Sequence, residues 1–130
     1  QFLTFTTAPN LQKAVAYGLG KPAAHFESVR TAFERSRDRL DQGLRAAGYV
    51  TLPAAGAYFL SVDLAASGIL ATDQEFALRC VKEVGVAVIP YSAFYAEAGG
   101  PPLVRLCFAK TDATLDSGIE RLAAAKRLFG

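Results

Sequence analysis

At 130 residues the chain is the size of one domain, and 52% hydrophobic with 20% charged residues excludes a disordered or low-complexity polypeptide. A formal net charge of only +2, with basic residues interleaved among Asp and Glu, leaves no basic stripe of the kind that nucleic-acid binding requires. One histidine, His25, excludes a metal centre or triad built on several histidines, and no apolar run approaches the length of a membrane span.

The opening QFLTFTTAPN is Thr-rich and apolar and reads as a strand end running into a loop. From about Asn10 to Leu19, Leu11, Ala14, Val15 and Leu19 form a helical stripe, ended by Gly18, Gly20 and Pro22. Phe26, Val29, Phe33, Leu40, Leu44 and Ala47 then recur at helical spacings among Arg, Asp and Glu. They predict a long amphipathic helix with a solvated charged face, stopped by Gly48. YVTLPAAGAYFLSVDL predicts a short extended piece, a Pro-Ala-Ala-Gly turn and a strand from Ala57 to Leu64. Thr72 and Glu75 make a capping box for a helix with Phe76, Cys80, Val81 and Val84 on one face, ended by Gly85. VAVIP reads as a short, fully apolar strand and YSAFYAEAGGPP as a loop, with Gly99-Gly100 a turn rather than a phosphate loop. A strand lies within PPLVRLCFAK, and Thr111 caps a last helix with Leu115, Ile119, Leu122 and Phe129 on one side. This order predicts an α/β fold of the α+β two-layer kind. Helices would pack on one face of a small mixed β-sheet, with a right-handed crossover between the strands flanking the third helix.

Cys80 and Cys107 each sit within an apolar pattern and read as small buried hydrophobes rather than as a disulfide or metal site. That usage, with no signal-peptide pattern at the start, predicts a reducing, cytoplasmic setting. The absence of methionine and the opening Gln1-Phe2-Leu3 predict a piece of a longer protein.

Arg105 is the residue that needs a reason. Along a strand, Val104, Leu106 and Phe108 share one face, and Arg105 shares the other with Leu103 and Cys107. Apolar residues on both faces predict a strand covered on both sides, yet it carries a permanently charged group. Either Arg105 neutralises an internal Asp or Glu or snorkels to water, or its planar fork waits for an anionic ligand such as a carboxylate.

GAYFLSVDL, VAVIPYSAFYAEAGGPPLVRLCFAK and the closing helix resemble the C-terminal part of the class I/II, fold-type-I pyridoxal-phosphate-dependent aminotransferases. That family's G-x-Y-F strand, V-P-G-S-x-F-Y stretch and R-L/I-x-F-A strand occur in the order of Gly56 to Phe59, Val88 to Tyr95 and Arg105 to Ala109 here. The long helix with RAAGY looks like the small-domain entry, and QFLTFTTAPNLQKAVA resembles the segment some distance after the cofactor lysine. Tyr91 departs from the pattern, standing where the family usually has glycine. The kynurenine, methionine and glutamine types look nearest, with the aspartate type behind.

The resemblance implies that residues 1–130 are the small domain, with about residues 1–20 the end of the large domain. It implies that Arg105 binds the α-carboxylate of amino acid and 2-oxo acid substrates. Phe59 matches an aromatic near that carboxylate, although a plain core aromatic is the default reading for it. None of Lys13, Lys21, Lys82, Lys110 and Lys126 sits in the family's Schiff-base motif. Catalytic and cofactor-binding residues, with most of the pyridoxal 5'-phosphate site, are therefore expected upstream, and this piece alone is expected to be inactive. The whole enzyme is expected to be a homodimer. Tyr58 is expected on the face opposite Phe59. Phe94 and Tyr95 would pack or close the site, and Ser92 lacks a base that would make it a nucleophile. A reading from another class is a stand-alone regulatory module that binds an amino acid without catalysis.

Overall fold

A computed structural model describes residues 7–96 and 99–129. The strand end expected at the start falls largely outside the described residues. The chain divides into two compact units, Gln1–Ala32 and Phe33–Gly130.

In the first unit, helix α1 (Pro9–Leu19) starts on a proline, whose missing N–H costs nothing at a helix start. The Gly20 N–H donates to the Ala16 carbonyl as the helix ends. Lys21 Nζ donates to the Tyr17 hydroxyl at 2.7 Å. No residue of α1 is buried, so its apolar stripe of Leu11, Val15 and Leu19 is exposed. Helix α2 (Ala23–Ala46) contributes residues 23–32 to this unit, and Phe26 and Val29 on that stretch are exposed as well.

The second unit is built on four strands: β1 (Val50–Thr51), β2 (Phe59–Asp63), β3 (Ile89–Pro90) and β4 (Leu103–Cys107). They lie in the order β1-β2-β4-β3. The expected two layers, helices on a small sheet, are present. Every neighbouring pair is antiparallel, whereas a mixed sheet was expected. The reason is that β4 inserts between β2 and β3. The strands flanking α3 (Asp73–Arg79) run parallel to each other but never pair.

Alternation along β2 and β4 places Leu60, Val62, Val104 and Leu106 on one face, each buried. They share one core with Leu40 and Leu44 of α2, Phe76 of α3, and Leu115 and Leu122 of α4 (Asp112–Phe129). Helices α2 and α4 approach closely at Gly43, where a Cβ would fall 2.4 Å from Ile119 Cδ1. The Arg39 guanidinium grips the Asp116 carboxylate through two hydrogen bonds of 2.7 Å at the edge of this contact. The Tyr49 hydroxyl, buried beneath α4, donates to the Leu122 carbonyl at 2.7 Å.

Thr72 caps α3 by accepting the Glu75 N–H, as the capping box predicts. The helix continues into a π-helical turn, Cys80–Val84, closed by Gly85 at φ 71° and by a Val86 N–H to Cys80 carbonyl bond. The wider turn displaces the expected stripe. Phe76 and Cys80 are buried, but Val81 is exposed. VAVIP narrows to the two residues of β3, and Ile89 is exposed because its register with Arg105 sets it on the sheet face away from the helical core, whereas Val88 is buried.

Candidate functional site

The other face of the sheet carries Phe59, Ser61 and Asp63 of β2 and Leu103, Arg105 and Cys107 of β4, all half-buried. Among the described residues of this unit, helices therefore close β4 on one side, not on both as expected. In register Arg105 lies between Ser61 of β2 and Ile89 of β3, at the middle of this face.

Two aromatic rings hold the guanidinium. Arg105 Cζ lies 3.9 Å from the centroid of Phe59, which is the diagonal cross-strand neighbour, and 4.6 Å from that of Phe94. Such contacts stabilise a cation by ~0.5–2 kcal/mol each and fix the plane of the fork. Phe59 is thus an aromatic of the open face, outside the helix-packed core. Arg105 Nε is buried with no hydrogen-bond partner. Among the described residues the side chain forms no ion pair. The nearest carboxylate in register, Asp63, instead accepts the Ala66 N–H at 2.9 Å.

Phe94 arrives on a 3₁₀ turn, Tyr91–Phe94, that follows β3 directly. Tyr91, the residue that departs from glycine, places its hydroxyl 2.7 Å from Ser61 Oγ. Ser92 is structural: its N–H donates to Asp73 and its Oγ accepts from Gln74 Nε2. Tyr95 is half-exposed and lies against Gly100, where a Cβ would come within 3.1 Å of its ring. Gly99 has φ 119°, as a turn requires. Tyr58 does not occupy the face opposite Phe59. It precedes the first paired residue of β2, so strand alternation does not reach it, and the two rings lie 4.3 Å apart. Ala57, just before it, takes a left-handed φ of 59°. Asp73, Ser61 and Gln74 were missed in the sequence. An acidic residue after a capping threonine is ordinary helix chemistry and hides any second role.

A cleft of about 510 Å³ opens elsewhere, between β4, α4 and the Gly85–Ala87 segment. Its arginine, Arg121, is committed to the carbonyls of Val84 and Gly85 at 2.9 and 3.2 Å, and Arg105 does not line it. Cys80 is buried in the core, where burial pushes its thiol up to about 11, while Cys107 is half-buried on the open face.

Residues 2–122 match the family model described as aminotransferase class I and II. The chain belongs to that aminotransferase family. It is 38% identical to the methionine aminotransferase of Escherichia coli, over 94% of this chain and 31% of that protein. It is 36% identical to the probable N-succinyldiaminopimelate aminotransferase of Mycobacterium tuberculosis, over 95% of this chain and 33% of that protein. The solved structure of E. coli YbdL, identified with a methionine aminotransferase function, superposes with a TM-score of 0.82 at 37% identity, covering 95% of this chain and 32% of its own. That of the M. tuberculosis N-succinyldiaminopimelate aminotransferase gives 0.86 at 36%, covering 96% and 33%. The chain thus spans about a third of the length of these relatives.

An aminotransferase implies pyridoxal phosphate, whose site needs a lysine amine, an acidic partner for the ring nitrogen and phosphate donors. The described residues do not fit that group. Lys126 Nζ is committed to the Ser67 carbonyl and Lys21 to Tyr17. Lys13 and Lys82 lie on exposed turns of helix, Lys110 lies beyond β4, and none of the five is carried by a strand.

Proposed function

We propose that this chain is the C-terminal small domain of a pyridoxal-phosphate-dependent aminotransferase that passes an amino group between an amino acid and a 2-oxo acid. About residues 1–20 would belong to the end of its large domain. Arg105 binds the α-carboxylate of each substrate, and Phe59 and Phe94 orient it. The observation that carries this reading is the buried, unpartnered Nε of a guanidinium lying against two rings. Family membership supports it, since relatives named for methionine and N-succinyldiaminopimelate share the same stretch.

Pyridoxal phosphate, when bound, supplies the chemistry at the amino carbon, and residues outside this chain hold it. The work of this chain is positional. A two-pronged grip on the carboxylate removes the substrate's freedom to rotate and sets its Cα–H bond, and the aromatic walls exclude water that would weaken the pair. The whole enzyme would act as a homodimer in the cytoplasm. Two free cysteines support a reducing compartment. Sedimentation of the full-length protein at micromolar concentration checks the dimer; a monomer would refute it.

The test of the carboxylate role uses the full-length holoenzyme. Arg105→Lys keeps the charge but loses the fork, so affinity for both amino acid and 2-oxo acid should fall. Arg105→Ala should cost more, ~2–5 kcal/mol in binding. Cofactor absorbance should survive both, and an amine donor without a carboxylate should be nearly indifferent. Unchanged substrate constants in a well-folded Arg105→Ala protein would refute the assignment.

A further inference from the structure

The Tyr91–Phe94 turn, which brings Phe94 to the guanidinium, is held at two points. From α3, Asp73 Oδ2 accepts the Ser92 N–H at 2.7 Å while Oδ1 accepts the Gln74 N–H at 2.9 Å. From the sheet, the Tyr91 hydroxyl and Ser61 Oγ are 2.7 Å apart, and Ser61 is the cross-strand partner of Arg105. Gln74 Nε2 adds a bond of 3.1 Å to Ser92 Oγ.

Helix α3 uses one oxygen of Asp73: Oδ1 meets the first-turn Gln74 N–H beside the Thr72 cap on Glu75. It has no use for Oδ2, yet Asp73 is buried to 6% exposure, and burying a carboxylate is costly unless donors meet it. The donor that meets Oδ2 comes from the turn, 19 residues along the chain. Tyr91, for its part, makes a bond that a glycine at this position has no atoms to make.

We propose that Asp73 and Tyr91 are positioning residues that clamp the Tyr91–Phe94 turn onto the sheet, so that Phe94 and Phe59 hold Arg105 ready for a substrate carboxylate. A long side chain that is already ordered loses less freedom when it binds. Phe94 is 60% exposed and packs edge-on to Tyr91 at 6.5 Å, so its place depends on the turn beneath it rather than on burial of its own ring. This inference rests on the carboxylate reading of Arg105.

The experiment compares the full-length holoenzyme with Asp73→Ala, Asp73→Asn, Tyr91→Phe and Arg105→Ala variants. The donors are the best L-amino acid substrate and the amine with the same side chain but no carboxylate. Asp73→Ala should raise KM for the amino acid about tenfold with kcat within about twofold, the scale of one charge-assisted hydrogen bond. Asp73→Asn keeps an oxygen for the Ser92 N–H and should recover most of that loss. Tyr91→Phe should raise KM about threefold, and its effect should shrink when Asp73 is already alanine, because both act on one turn. KM for the amine should not move. If Arg105→Ala raises KM while Tyr91→Phe and any folded Asp73 variant leave it unchanged, the clamp is refuted and the carboxylate reading stands. If Arg105→Ala leaves KM unchanged, that reading falls and takes the clamp with it. Should Asp73→Ala fail to fold, Tyr91→Phe, which removes one oxygen, decides the matter alone.

Discussion

Strands β2 and β4 have five residues each, and alternate side chains of the same strands meet opposite surroundings. Leu60, Val62 and Val104 are each about 1% exposed against the helices, and their contacts are complete within the chain. One residue along, Phe59, Ser61 and Arg105 are half-buried, and the guanidinium has rings beside it but no described anion. The difference separates two kinds of requirement. Residues on the closed face satisfy each other, so their cost of change is stability. Those on the open face are arranged but incomplete, so their cost of change should appear when something binds.

The largest effect expected is on the closed side. Phe76→Ala beneath the sheet should destabilise the fold by ~3–5 kcal/mol, read by urea melting, with substrate affinity preserved in whatever remains folded. Arg105→Ala should do the reverse, with its binding penalty accompanied by a melting temperature close to that of the parent. A variant that melted much earlier yet bound substrate normally would return Arg105 to a structural role and erase the contrast.

The two cysteines sharpen the comparison by a route independent of substrate. Cys107 on the open face should react with a maleimide at pH 8 well before Cys80, whose thiol is buried and pushed up to about 11. Mass spectrometry of the singly labelled protein identifies the site, and modification of Cys80 first would break the assignment of faces. The same shift has a consequence for stability. The unfolded chain sheds this proton near pH 9 while the folded chain keeps it to about 11, so the stability held below pH 9 should decline across that window. Burial raises the Tyr49 hydroxyl as well, which deepens the decline at higher pH.

The smallest effect concerns Ala57, whose left-handed backbone costs an L-residue ~1 kcal/mol. Ala57→Gly should relieve part of that strain and raise the melting temperature slightly. Because Phe59 follows two residues later, the looser segment should also weaken carboxylate binding measurably. A gain in stability with unaltered binding would show that the strain has no bearing on the open face.

The periodicities of α2 and α4, the Thr72 cap, the Gly85 stop and the alternation that sets Arg105 apart from Val104 and Leu106 were all legible in the sequence, because each depends on neighbours a few residues away. The order of motifs from Gly56 to Ala109 pointed to the family by resemblance. Antiparallel pairing throughout was not legible, since it depends on β4 entering between β2 and β3, an event set by loops and not by any strand's own pattern. Nor was the closure of β4 on one face alone, because apolar residues on both faces read alike until the helices choose one. The company kept by Arg105 was decided by tertiary structure as well. Phe59, Asp73 and the Tyr91–Phe94 turn come from three separate stretches of chain, and their convergence is a matter of long-range geometry, which single-residue chemistry does not encode.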